Sequence, residues 1–355
     1  MKNIKSKHKE KKNSLGKMIL HKIYYFFRIH NHPSIKLYRG FGNHEKIIVL
    51  GHTLKRTPFS RKRYRQNWIT NAFSVIRLFL IRPLPCTHFS IQFGNENFEA
   101  ESESDGFFRL EIFPQKKPNS GWHKVTGTIF NSDKTHQPIT GHSEIYIPYQ
   151  TQNGFISDID DTFLISHSGR LRKRLYALLT KNERTRKPFE GVVNHYQQLA
   201  ASGRQKTDTN PFFYVSSSEW NLYDFVVSFA EMSHLPKGVF LLGQLKSLGS
   251  FWKSGQNNHK TKFFRIVRII EAYEHLNFVL LGDDSQQDPY IYSAVASHFP
   301  GRIIAVYIRH VQKQRPPAVI EVIEKIKSLG IECCYFKHSA EALEHSKTIG
   351  LITEQ

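Results

Sequence analysis

Beyond Gln150 the chain alternates short apolar runs with segments of helical period, and this alternation constrains the fold more than any other feature. The runs are GFIS, PFFYVS, GVFLL, FVLLGD, RIIAVYI and CCYF. Each is too short for a helix and too evenly apolar for a sheet with one wet face, so each predicts a strand covered on both sides. Between them the periodicity predicts helices at Phe189–Ala201, Asn221–Ser233, Lys260–Tyr273, Pro289–Phe299 and Ala318–Leu329. In the third, Phe263, Val267 and Ile270 are read as one face, with Lys262, Arg265 and Glu271 off it. Strands alternating with helices imply an α/β fold, a parallel sheet with helices on both faces and a site at the carboxyl ends of its strands.

A chain of 355 residues exceeds what one core usually covers, and its first half reads differently. From about Ser34 to Tyr149, runs such as KIIVL, HFSIQF, FFRLEIF, HKVTGTIF and SEIYI alternate between turn residues and predict an antiparallel β-sandwich. The expected units are a basic arm at 1–33, a β-rich domain at 34–150 and an α/β domain at 151–355. Two basic amphipathic helices are expected, at Met18–Phe27 in the arm and at about 61–81 within the β-rich domain. Residues 1–13 are Lys-rich, nearly devoid of apolar side chains, and expected to be disordered.

Charge is placed unevenly. Residues 1–85 hold 20 Lys or Arg against only Glu10 and Glu45, so +18 of the net +20 lies there. Such a segment calls for a polyanionic partner, an anionic membrane surface or a nucleic acid. The apolar segments are too short or too interrupted by charge to span a bilayer, and no signal-peptide cleavage site is evident. Three cysteines, Cys86, Cys333 and Cys334, make no disulfide framework and fit a reducing, cytoplasmic setting.

The strand ends carry the chemistry. After GFIS come Asp158, Asp160 and Asp161, and that much negative charge behind a buried strand needs a cation, a proton or a reaction. PFFYV is followed by Ser216, Ser217 and Ser218; FVLLG by Asp283, Asp284 and then Asp288; between them Lys260 opens a helix. Carboxylates, a hydroxyl and an ammonium at one sheet edge are what it takes to hold Mg²⁺ and a phosphate side by side.

In this order the residues resemble the haloacid-dehalogenase-type phosphohydrolases, and more narrowly the App1-like phosphatidate phosphatases. Asp158, Asp160 and Thr162 match the DxDxT motif, Ser216 the second motif, Lys260 the lone lysine of the third, and Asp283 and Asp288 the fourth, GDxxxxD. The narrower likeness rests on YVSSSEWNLYDF, TRKPFEGV, FPGRIIAVYIR and GLI, with GFFRLEIF and GWHKV in the β-rich half. Two positions depart from it: Asp284-Ser285 stands where Ser-Gly is usual, and Glu219 where Pro is common.

The resemblance implies a Rossmann-like catalytic sheet and a two-step hydrolysis. Asp158 would be the nucleophile and Asp160 the general acid and then base; Thr162, Ser216 and Lys260 would hold phosphate; Asp158, Asp160, Asp283 and Asp288 would hold Mg²⁺. Only 56 residues separate Asp160 from Ser216 and 44 separate Ser216 from Lys260, room for a small helical flap and not a cap domain. An open site suits a phosphomonoester on a large carrier. The resemblance favours phosphatidate on a membrane, the protein then being peripheral on the inner face. A phosphatase acting on nucleic-acid ends or phosphoproteins, and an idle lipid-binding module, are the alternatives.

Overall fold

The computed structural model describes residues 29–30, 33–58, 81–130, 138–149, 153–159, 190–202, 209–243, 258–285, 287–312 and 316–352, with backbone alone at 29–30, 56–58 and 258–260. Both expected amphipathic helices, at Met18–Phe27 and about 61–81, lie outside the described residues, as does the Lys-rich stretch 1–13.

The second half forms a six-stranded, all-parallel sheet in the order β12-β11-β10-β13-β14-β15. Its strands are β10 (Asn153–Asp158), β11 (Phe212–Glu219), β12 (Gly238–Gly243), β13 (Asn277–Asp283), β14 (Ile303–Arg309) and β15 (Glu332–Phe336). They coincide with the six apolar runs, and β10 to β14 are buried almost end to end. Connecting them are α1 (Val192–Ala201), α2 (Tyr223–Met232), α3 (Asn258–Glu271), α4 (Asp288–His298) and α5 (Pro317–Ser328), within a few residues of the predicted positions. The chain steps from β10 outward to β12, returns to the other side of β10 as β13 and steps outward again, so the order reverses between β10 and β13. With right-handed crossovers, the helices of the two runs fall on opposite faces. The packing agrees: α3, α4 and α5 lie in a row, while α1 packs against the last helix, α6 (Ser339–Thr348).

Helix α6 escaped the sequence reading because its buried side is small and polar. Ala342 and Ser346 face inward, Ser346 Oγ meeting His195 Nε2 at 2.8 Å, and a capping box between His338 and Glu341 starts the helix.

Before residue 150 nine described strands are linked by hydrogen bonds into one sheet: β1 (Ile29–His30), β2 (Ser34–Gly42), β3 (Ile47–Pro58), β4 (Arg82–Pro83), β5 (His88–Phe93), β6 (Glu96–Glu101), β7 (Phe107–Ile112), β8 (Gly121–Ile129) and β9 (Ile139–Ile147). Most pairings are antiparallel; β2 and β9 run parallel. The unit expected as a sandwich of two sheets is thus continuous in its hydrogen bonding, around a core that includes Leu37, Val49, Ile91, Phe108 and Ile145.

Strand β2 was not anticipated, because SIKLYRGFG lacks a clean period of two. It is buried on both faces. Leu37, with Ile47 and Val49 of β3, faces the β core, whereas Tyr38 and Phe41, with Ile48 and Leu50, join the core of the parallel sheet. Tyr38 stacks on Trp220 with ring centroids 4.0 Å apart, the Arg39 N–H donates to Tyr223 Oη at 2.8 Å, and Tyr146 Oη donates to the Thr209 carbonyl at 3.0 Å. The β-rich half therefore keeps a core of its own and also contributes side chains to the core of the parallel sheet.

Candidate active site

Where a doubly wound sheet reverses its strand order, the helices part and leave a crevice at the carboxyl ends of the two strands. Here those strands are β10 and β13. Ser157 lies opposite Leu281 and Asp158 opposite Val215 of β11, so Asp158 ends its strand at the switch point. Asp283 ends β13 one step higher, and Ser216 stands at the same step on β11.

Asp288, the first residue of α4, closes the group from above. A carboxylate there is favoured by the amide groups at the helix start. It reaches the strands because position 282 is glycine: a Cβ there would stand 2.7 Å from Asp288 Oδ2 and from the Tyr292 ring. Tyr292 is in turn pinned to β13, its hydroxyl donating to the Leu281 carbonyl at 2.9 Å.

Asp158, Asp283 and Asp288 are all buried, and each offers a carboxylate oxygen within 4.8 Å of the others. Three desolvated anions this close repel strongly. Among the described residues a compensating charge in contact is Lys262 on α3, 2% exposed, whose Nζ donates to Asp158 Oδ1 at 2.7 Å and also to Asp288 Oδ1. Burial alone would favour the neutral amine, but Asp158 and Asp288 outweigh it and raise the lysine above its ordinary value. Among the described residues, one ammonium lies against three clustered carboxylates, an excess of negative charge. Buried Arg309, opposite Asp283 at the end of β14, acts on that carboxylate at longer range while donating to the Lys337 carbonyl and Ser339 Oγ and lying 4.8 Å from the centre of the Phe336 ring. Several carboxylate oxygens converging with surplus negative charge are a donor set that fits a hard divalent cation.

The sequence places Lys262 off the buried face of its helix, and the structure corrects this by bringing it into the group. In α3 the inward face runs Lys262, Ile266, Ile269 and Ile270, all buried, while Phe263 is half-buried and Phe264 exposed. The phase of the Ile-rich stripe assigns Lys262 to that face; Lys260 is described here by its backbone alone. Asp160, Asp161 and Thr162 lie outside the described residues.

Asp284, the unusual neighbour of Asp283, takes no part in the group of three. Its carboxylate accepts from Tyr335 Oη and meets His310 Nδ1, each at 2.6 Å, and accepts from the Val311 N–H at 2.8 Å. Consecutive strand residues point to opposite sides, so the extra charge is spent fastening the ends of β14 and β15.

Residues 153–310, which contain all of these groups, match the family "Phosphatidate phosphatase APP1, catalytic domain". The chain is 28% identical over 184 residues to phosphatidate phosphatase APP1 of Saccharomyces cerevisiae, covering 48% of this chain and 29% of the yeast protein. It is 24% identical over 223 residues to an uncharacterized protein of Schizosaccharomyces pombe, covering 60% of this chain and 34% of that protein. The chain thus spans about a third of the length of these relatives. Among solved structures, a carbohydrate acetylesterase from Xanthomonas citri overlaps 86% of this chain and 68% of its own, at 7% identity and a TM-score of 0.31, a likeness too slight to bear on the fold. The similarity to App1-like phosphatidate phosphatases read from the motifs is the one that the sequence comparisons find.

Proposed function

We propose that the chain is a Mg²⁺-dependent phosphatase of the haloacid-dehalogenase type that converts phosphatidate to diacylglycerol and phosphate at an anionic membrane surface. The observation that carries this reading is the buried group of Asp158, Asp283 and Asp288 gripped by Lys262 at the switch point of the sheet. The family match over residues 153–310 supports the substrate.

In this mechanism an Asp158 carboxylate oxygen forms a bond to phosphorus as the bond from phosphorus to the leaving alkoxide breaks, giving an aspartyl-phosphate. Asp160, two residues on, gives its proton to the alkoxide, then takes one from the water that displaces Asp158. Lys262 orients the Asp158 carboxylate and, with Ser216, Thr162 and Lys260, balances charge on the phosphate oxygens. Mg²⁺ held by Asp158, Asp283 and Asp288, with the backbone of Asp160, would offset the repulsion between an anionic nucleophile and an anionic phosphate.

The +18 within residues 1–85 supports a membrane-facing role, each Lys or Arg near an anionic surface contributing about 1 kcal/mol of attraction. No helix among the described residues is long and apolar enough to cross a bilayer. We place the protein in the cytoplasm, peripheral on the inner face of the membrane. The same charge would serve a phosphatase acting on nucleic-acid ends.

The deciding experiment is phosphate release from phosphatidate vesicles, phosphopeptides and 3′-phosphorylated oligonucleotides, with Mg²⁺ and with EDTA. Vesicles are expected to be preferred and EDTA to silence the reaction. Asp158→Asn should abolish turnover and Asp160→Asn nearly so. Near wild-type turnover by Asp158→Asn would sink the covalent mechanism, and preference for oligonucleotides would replace the lipid substrate.

A further inference from the structure

We infer that Arg265 is a positioning residue of the catalytic turn, acting through Ser216. The inference rests on reading Ser216 as a phosphate-binding hydroxyl, and it starts from an irregularity in the sheet. Strands β11 and β12 pair regularly up to Val215 opposite Leu241, but the next pair is Glu219 opposite Gly243. Four residues on one strand advance against two on the other, so Ser216, Ser217 and Ser218 bulge out of the ladder. A bulge re-aims side chains at a sheet edge, and it deprives backbone groups of ladder partners that must be found elsewhere.

Two such partners can be named. The Ser218 N–H folds back onto Ser216 Oγ at 2.9 Å. The Ser216 carbonyl accepts from Arg265 Nη1 at 3.0 Å, across 49 residues of sequence. Arg265 follows Lys262 by three residues, one helical turn, so helix α3 presents both cations to the same sheet edge. One fixes the Asp158 carboxylate, the other the backbone that carries Ser216. The geometry is close on the far side as well. A Cβ at Gly243 would lie 3.6 Å from Arg265 Nη2 and 3.2 Å from the carbonyls of Ser217 and Ser218, so the bulge and the guanidinium close over a glycine with little room to spare.

By holding the Ser216 carbonyl, Arg265 acts on the reaction through Ser216. A planar guanidinium directs several donors along fixed lines, whereas a lysine supplies a single mobile charge. Removing one charge-assisted hydrogen bond should lower kcat/KM about tenfold to a hundredfold, and Arg265→Lys should restore only part of it.

The test is a double-mutant cycle in the full chain with Mg²⁺, using p-nitrophenyl phosphate, with wild type, Arg265→Ala, Ser216→Ala and the double variant. Binding of inorganic phosphate, read by calorimetry, supplies the same cycle where turnover is too slow. If Arg265 acts through Ser216, the double variant is no worse than Ser216→Ala, within about twofold. Effects that multiply overturn the inference and leave Ser216 in its role. Full activity in Ser216→Ala overturns both the inference and the reading of Ser216 beneath it. Should Arg265→Ala fail to fold, judged by circular dichroism, Arg265→Lys takes its place in the cycle, with the same two outcomes.

Discussion

Replacing Lys262 by Met keeps the aliphatic stem and removes the charge that Asp158 and Asp288 share. Both carboxylates are about 1% exposed and the lysine 2%, so neither anion can turn to water when its partner goes. Deleting one partner of a buried ion pair costs about 3–5 kcal/mol, and here one deletion strips two anions of a contact. With a urea slope of roughly 3 kcal/mol/M, the unfolding midpoint should fall by about 1–1.7 M. The pH dependence has a definite sign. Lys262 is raised above its ordinary 10.5, so its contribution to wild-type stability is complete below pH 10.5 and declines only as pH rises beyond it. Phosphatase activity on a soluble phosphomonoester should drop about a hundredfold or more, as expected when a donor to transition-state charge is removed. Lys260→Met serves as the comparison. If Lys260→Met silences the enzyme while Lys262→Met retains both midpoint and activity, Lys262 is not the site lysine and the helical phase argument fails.

Trp220→Ala should lower stability by about 3–5 kcal/mol, because the indole is buried between the two sheets and stacked on Tyr38, and the loss should appear in urea denaturation followed by fluorescence. An unchanged midpoint would mean that the β-rich half does not brace the catalytic half. Burial pushes the His52 imidazole down to about 4 and that of His195 to about 3. Each folded histidine resists protonation that the unfolded chain accepts. The stability they contribute is therefore present above about pH 6.5 and is lost as pH falls toward 4, at about 1.4 kcal/mol per pH unit each. Against wild type, His52→Gln should reduce the slope of stability between pH 6 and 4 by about 1.4 kcal/mol per pH unit; identical slopes would contradict a neutral buried His52.

The parallel sheet was legible because burial on both faces leaves an unambiguous mark: five of its strands are nearly continuous apolar runs, and turn residues and helical periods separate them. The positions of Asp158, Ser216 and Asp283 followed directly, since each comes at the end of such a run. What resisted reading was whatever depends on the far side of a contact. Strand β2 carries Lys36, Arg39, Gly40 and Gly42 among its apolar residues, yet Lys36 and Arg39 reach across to Asp224 and Glu231 at 2.6 and 2.7 Å, pairs that no local pattern discloses. Helix α6 buries Ala342 and Ser346, side chains too small to register as an apolar stripe.

The same limit explains the lysine. Hydrophobic periodicity treats a charged residue as evidence of an outward face, and on that rule Lys262 belongs in solvent. A cation buried among carboxylates inverts the rule, because its counterions are themselves buried and arrive from β10 and α4, more than a hundred residues before it and 26 after it. The apolar phase of Ile266, Ile269 and Ile270 points at the sheet edge, and a lysine continuing that phase toward the helix start must meet whatever ends the strands. At β10 and β13 that is aspartate. A charged residue that continues an apolar stripe toward the carboxyl edge of a parallel sheet is therefore more informative than one that lies off the stripe, and Asp284 supplies the complement: a carboxylate inside the fourth motif that leaves the site because strand alternation turns it toward His310 and Tyr335.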